Sequence, residues 1–205
     1  MNSNGATDDN WMGQETLAPA PKLQRWVWGA LAGASRQAPN PEISAKVTGY
    51  SDSDFAGCVD TRKSTFGYLF LLADGAISWK SAKQSVIATS TMEAEFVAYY
   101  EATIHALWLR NFIPGLGVVD TITKPLKIYC DNTAAIFFSK NDKYSKGAKH
   151  MELKYFTVKE EVQKQRVLFE NIRTDLMIAD PLTKGLQPKT FKKHVQRMGL
   201  GCTYD

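Results

Sequence analysis

The chain has 205 residues, 44% hydrophobic and 22% charged, enough for one ordinary core and too apolar for a wholly disordered protein. No apolar run approaches the roughly eighteen residues of a membrane helix, and residues 1–10 are polar, so neither a membrane span nor a secretion signal is expected. A cytoplasmic or nuclear protein fits. Of the net charge of +4, residues 1–44 carry −1 and the remainder +5, a mildly basic body compatible with a polyanionic partner. Cys58, Cys130 and Cys202 are odd in number and widely spaced, which argues against a disulfide framework and a structural zinc site.

Residues 1–44 are punctuated by Gly, Pro, Ala, Ser and Asn and read as a flexible leader, apart from a stretch around Trp26 and Trp28 that asks for burial. Residues 45–186 read as the folded domain and 187–205 as a C-terminal helix and tail. Strands are predicted over 46–51, 65–72 and 76–80, with Asp74-Gly75 as the tight turn between the last two. Ser90-Thr-Met-Glu93 has capping-box spacing, so a helix should run from about 91 to 112 and end at Pro114-Gly115. A short strand follows over 126–131, then a helix over 132–138 capped by Asn132 or Thr133. An amphipathic helix spans 149–166, a fifth strand 167–172, and helical candidates 177–186 and 188–198. The fold class is α/β: a mixed five-stranded sheet, three antiparallel strands then two parallel, flanked by helices.

Four acids stand where such a fold can gather side chains: Asp52 ending the first strand, Glu95 in the first helix, Asp131 ending the fourth strand and Asp180 opening a late helix. Crowded carboxylates repel unless a cation lies between them, and an all-oxygen set favours Mg²⁺ or Mn²⁺ over zinc. Two such ions, about 4 Å apart, can activate water and stabilise a leaving oxygen at phosphorus. Glu93 and Glu95 lie about 200° apart on a helix, so the cap uses Glu93 and leaves Glu95 for the site. Each acid has an ordinary reading too. A lone Asp at a strand end is most often a solvated turn residue, as Asp54 and Asp60 are read here, and Asp180 before Pro181 could equally be a helix cap.

The segments around these acids are more specific. Gly49-Tyr-Ser-Asp-Ser-Asp-Phe-Ala-Gly57, Arg62-Lys-Ser-Thr-Phe-Gly-Tyr68, Ile77-Ser-Trp-Lys-Ser81, Ser90-Thr-Met-Glu-Ala-Glu-Phe96, Tyr129-Cys-Asp-Asn132, Lys149-His-Met-Glu-Leu153 and Ala179-Asp-Pro-Leu-Thr-Lys184 follow in order. Over residues 47–200 the chain resembles the ribonuclease H domains of copia-type plant retrotransposon Pol polyproteins. The resemblance implies a ribonuclease H-like fold and cleavage of the RNA strand of an RNA:DNA hybrid. It also implies that Asp52, Glu95, Asp131 and Asp180 are the metal-binding, catalytic carboxylates, with two ions. Many cellular ribonucleases H place a His before the last Asp. Residues 173–179 contain none, and His105, His150 and His194 lie elsewhere, a departure that bears on turnover rate.

Hybrid binding needs phosphate contacts along both strands. Asn132, Lys80, Lys83, Gln84 and Lys149 are the residues chosen for it, with Lys140, Lys143 and Lys146 beside them, although a Lys-rich loop is more often merely solvated. Trp79 is expected in the core. The chain carries no Tyr-x-Asp-Asp segment, no Asp-Ser/Thr-Gly protease signature and no His-His-Cys-Cys module. It is therefore expected to be a piece of a polyprotein once tethered to a reverse transcriptase, joined to an unrelated leader. An inert relic that keeps the fold and at most binds nucleic acid is the first alternative, and a transposase or integrase core the more distant one.

Overall fold

The computed structural model describes residues 46–116, 122–140 and 149–200. The leader with Trp26 and Trp28, the lysines Lys143 and Lys146, and the tail with Cys202 lie outside the described residues, as do the side chains of Lys140, Lys149 and His150. The elements in chain order are β1 (Val47–Ser53), β2 (Thr65–Leu72), β3 (Gly75–Lys83), α1 (Thr91–Gly115), β4 (Leu126–Cys130), α2 (Thr133–Lys140), α3 (Lys149–Gln163), β5 (Val167–Asn171) and α4 (Pro188–Arg197). Two 3-10 turns follow β5, Thr174–Leu176 and Asp180–Leu182, and the second of them stands where the sequence suggests one longer helix over 177–186. Pro181 lies inside the second turn, where its missing N–H costs nothing, and the chain leaves helical geometry at Thr183.

The sheet order is β3-β2-β1-β4-β5. β1, β2 and β3 form an antiparallel meander, and β1–β4 and β4–β5 pair in parallel. This is the mixed five-stranded architecture expected from the sequence. The β2–β3 turn differs by one residue from its expected place. Leu72 pairs with Gly75, so Ala73 and Asp74 are the two turn residues, both with positive φ (49° and 62°), and Gly75 begins the strand. Two-residue hairpin turns that match the strand twist demand that conformation at both positions.

The α1 start follows the capping logic with one change of partner. Ser90 Oγ accepts from the Glu93 N–H at 3.2 Å, whereas the Glu93 carboxylate accepts from the Thr89 N–H at 2.6 Å rather than from Ser90. Pro114 falls inside α1 rather than stopping it, and Leu116 closes the helix.

Both sheet faces are covered. Phe66, Tyr68 and Phe70 of β2 join Phe96, Tyr99 and Ala102 of α1, Tyr155 of α3 and Phe169 of β5 in the main core. On the other face Leu69, Leu71 and Ala76 pack with Ile178 and Met198, the latter just past α4. A backbone bond from the Ala76 N–H to the Met198 carbonyl, 2.9 Å, ties α4 to the hairpin. Trp79 is not in either core. It pairs with Leu69 on the edge strand β3 and remains 56% exposed, because an edge strand has a neighbour on one side alone. No helix among the described residues is long and apolar enough to cross a membrane.

Candidate metal centre

The parallel pairing of β1 with β4 builds the site. Their last paired residues are Tyr50 and Tyr129, so two positions further along each strand Asp52 and Asp131 come side by side at the same sheet end. Glu95 arrives from the first turns of α1, which packs across β1. One carboxylate oxygen from each of Asp52, Glu95 and Asp131 lies within 4.8 Å of the others. Asp52 is fully buried and Glu95 is 4% exposed, while Asp131 is half-buried at the mouth.

A cleft of about 590 Å³ opens over these groups, lined in part by Ser53, Asp54, Phe55, Asn132 and Lys184. Asp54 serves the turn, as expected: its carboxylate accepts from the Thr65 N–H and its own N–H donates to the Thr65 carbonyl at 3.0 Å. Asn132 caps α2, its side-chain oxygen accepting from the Ala135 N–H at 3.0 Å. Thr174 donates to the Asp131 carboxylate at 3.3 Å.

Asp180 joins the group indirectly. It is 6% exposed in the second 3-10 turn, and Lys184, four residues on, places its Nζ 3.0 Å from Asp180 Oδ1 and 3.0 Å from Asp52 Oδ1. Thr183 donates its hydroxyl to the other Asp52 oxygen. Two features seat the turn on the sheet. Gly67 stands across from Asp52 on β2, and a Cβ there would meet Leu182 Cβ at 2.7 Å. Ser81 on β3 donates to the Leu182 carbonyl at 2.5 Å.

Electrostatics follow from this crowding. Burial, then the charges of Asp52 and Asp131, push Glu95 up from 4.5 to about 9. Burial likewise lifts Asp52 from 3.8 to about 6, held back by Lys184 and Thr183. Burial opposes the Lys184 charge, but Asp52 and Asp180 outweigh it and hold the ammonium well above its ordinary value.

The residues fit a divalent cation on an observation independent of their number. Glu95 Oε2 is buried and has no hydrogen-bond partner, which is costly for a carboxylate facing two others and is relieved by a cation. The acidic cluster Asp52, Glu95 and Asp131 could therefore hold a metal, with hard oxygen ligands.

No family model matches the chain. It is 38% identical over 152 residues to the retrovirus-related Pol polyprotein from transposon TNT 1-94 of Nicotiana tabacum, covering 74% of this chain and 11% of that protein. The Pol polyprotein from transposon RE1 of Arabidopsis thaliana is 32% identical over 151 residues, covering 74% and 10%. The chain is a homologue of plant transposon Pol polyproteins. It spans about a tenth of the length of those relatives. Among solved structures it is similar to the N-terminal RNase H domain of a Mycobacterium tuberculosis protein, with 13% identity, 75% of this chain and 98% of that chain covered, and a TM-score of 0.49. It is also similar to LC11-RNase H1 solved with an RNA/DNA hybrid, with 17% identity, 67% and 94% covered, and a TM-score of 0.46.

In this Pol-related domain the residues expected to bind nucleic acid do not form one group. Asn132 lines the cleft. Lys80 is exposed on β3, with its Nζ 5.4 Å from the Phe66 ring centre, and Lys83 places its Nζ 3.0 Å from Cys58 Sγ. Neither lysine lines the cleft. Lys149 begins α3 and its side chain lies outside the described residues.

Gln84 departs from the expected role. It is 1% exposed and its amide donates to Ser53 Oγ at 3.1 Å and to the Ala94 carbonyl at 2.8 Å, joining the ends of β1 and β3 to α1. A side chain enclosed in this way has no phosphate within reach. Thr183, Lys184 and Gly67 were not assigned a role from the sequence. The i,i+4 spacing of Asp180 and Lys184 is the signal for one pair, and a glycine inside an apolar strand is the signal for close approach of another backbone.

Proposed function

We propose that this domain is a metal-dependent endonuclease that hydrolyses the RNA strand of RNA:DNA hybrids, a hydrolase of the copia-type retrotransposon ribonuclease H class. The observation that carries the reading is the convergence of Asp52, Glu95 and Asp131 around a buried, unpartnered Glu95 oxygen at the floor of an open cleft. Homology to Pol polyproteins supports the choice of substrate. LC11-RNase H1, whose fold is similar, was solved with such a hybrid.

Asp52, Glu95, Asp131 and Asp180 are the residues that would hold two Mg²⁺ or Mn²⁺ ions. When bound, such ions activate a water and stabilise the leaving oxygen in an in-line displacement at phosphorus. The remaining work falls to the chain's own groups. Burial of Asp52 and Glu95 removes competing water from the floor. Half-exposed Asp131 faces the mouth, where a phosphodiester enters. Thr183 and Thr174 orient the Asp52 and Asp131 carboxylates through their hydroxyls. Asn132 and Phe55 line the cleft and are the groups assigned to sugar and phosphate contacts, with Lys80, Lys83 and Lys149 as electrostatic aids.

The test is cleavage of a labelled RNA:DNA hybrid by the purified chain with Mg²⁺, Mn²⁺ or EDTA, beside duplex DNA and duplex RNA of the same sequence. Metal-dependent cutting of the hybrid's RNA strand is expected. Asp131→Asn should lower the rate by at least about a thousandfold, on the order of 4 kcal/mol in barrier, while the circular dichroism spectrum stays unchanged. Cutting by Asp131→Asn at the wild-type rate would overturn the assignment. No cutting by a folded wild type would leave the competing reading, an inert domain that at most binds nucleic acid.

A further inference from the structure

The four acids do not share one environment, and Lys184 is the reason. Asp52, Glu95 and Asp131 face one another directly, with an unpartnered oxygen on Glu95. Asp52 and Asp180 instead share an ammonium, 3.0 Å from an oxygen of each. Asp52 thus has cation-binding space on two sides, and on the Asp180 side a tethered positive charge already fills it.

An ammonium is a compact point charge with three donors, and it satisfies two carboxylates much as a hard cation does, with one charge in place of two. It is also free to leave. The Lys184 side chain is 36% exposed and lines the open cleft, and the backbone beyond it at Gly185 has open space around it. The i,i+4 link to Asp180 keeps the amine in the neighbourhood without enclosing it.

We propose that Lys184 is the built-in counter-ion of the second cation place. The protein free of nucleic acid then takes one divalent ion, between Asp52, Glu95 and Asp131, and a second enters only as the Lys184 amine withdraws from Asp52 and Asp180. The inference rests on the metal-site reading above and adds an order of filling to it. It makes the second ion the weaker one for a reason located in a single side chain.

The experiment is titration calorimetry of the full chain with Mn²⁺ and separately with Mg²⁺, without nucleic acid, for wild type, Lys184→Met and Lys184→Arg. Wild type and Lys184→Arg are expected to bind one ion. Lys184→Met should bind two, the second at an affinity at least about tenfold above the detection limit at which wild type shows none, since removing a like charge beside a site shifts its occupancy by that order. In EDTA, Lys184→Met should melt below wild type, because Asp52 and Asp180 lose their shared counter-ion, and Mg²⁺ should close the gap. If Lys184→Met does not fold in EDTA, Lys184→Gln keeps hydrogen-bonding capacity without the charge and carries the same test. Equal ion number and affinity in wild type and in the uncharged variant would overturn the role of Lys184 while leaving the metal site intact. Absence of ion binding in every form would overturn the metal reading itself.

Discussion

Glu95 shows how a single side chain can report on the whole site. In the protein without metal, burial first and then Asp52 and Asp131 raise it to about 9. The folded chain therefore keeps a proton on Glu95 between about 4.5 and 9 that the unfolded chain has released. Stability from that retained proton is complete below pH 4.5 and is lost as pH climbs through about 9. Asp52 contributes in the same sense, but its window closes near 6, and His105, lowered to about 4 by burial, acts in the opposite sense below 6.5. Between pH 7 and 9 the comparison of wild type with Glu95→Gln isolates Glu95. In EDTA the wild-type melting temperature should fall more steeply over that range than that of Glu95→Gln, and Mg²⁺ should flatten the wild-type slope. Equal slopes in EDTA would show that Glu95 is not the group being titrated. The separation of Glu93 from Glu95 was legible in the sequence because helical periodicity and a capping box are local rules. The enclosure of Gln84 was not, since a polar residue just past a strand gives no local sign of which way it turns.

The turn that carries Asp180 is held by its neighbours rather than by its own regularity. It comprises three residues of 3-10 geometry resting on Gly67 and bound by Ser81. Gly67→Ala would drive a Cβ into Leu182 Cβ at 2.7 Å and Thr183 Cγ2 at 3.0 Å, so the turn must move. The expected cost is about 1–3 kcal/mol by urea unfolding, together with weakened binding of the second ion in Lys184→Met. Unchanged stability and ion binding would mean that the turn is not seated on β2 in this way. The sequence pointed to a helix over 177–186, because Asp before Pro followed by Leu, Thr and Lys is an acceptable helical start. The competing influence is the sheet surface, which the turn meets at Gly67 and follows away from helical geometry.

The molecule is held as one body by contacts that cross its layers. The Tyr99 ring of α1 stacks on Phe169 of β5, centroids 4.9 Å apart, and both side chains are fully buried. Phe169→Ala should cost about 3–5 kcal/mol in unfolding free energy, with loss of cleavage following loss of fold rather than of chemistry. A variant that unfolds at the same urea concentration as wild type would contradict this view of the core. A net charge of +4 is compatible with a polyanionic partner, and neither Lys80 nor Lys83 lines the cleft.

The strands, the capped α1 and the four candidate acids could be read from residue order, because alternation, helical period and turn chemistry act over a few neighbouring positions. Their meeting could not. Asp52 and Asp131 come side by side through parallel pairing of β1 with β4, a contact between distant segments; Glu95 is added by α1 packed across β1, and Asp180 joins only through Lys184. Lys184 reaches Asp52 across 132 residues of chain, and nothing local to either announces the contact. Short-range preferences shape the elements, but charges act through space, so the partners of each carboxylate were decided only when the sheet closed and the last turn settled on Gly67.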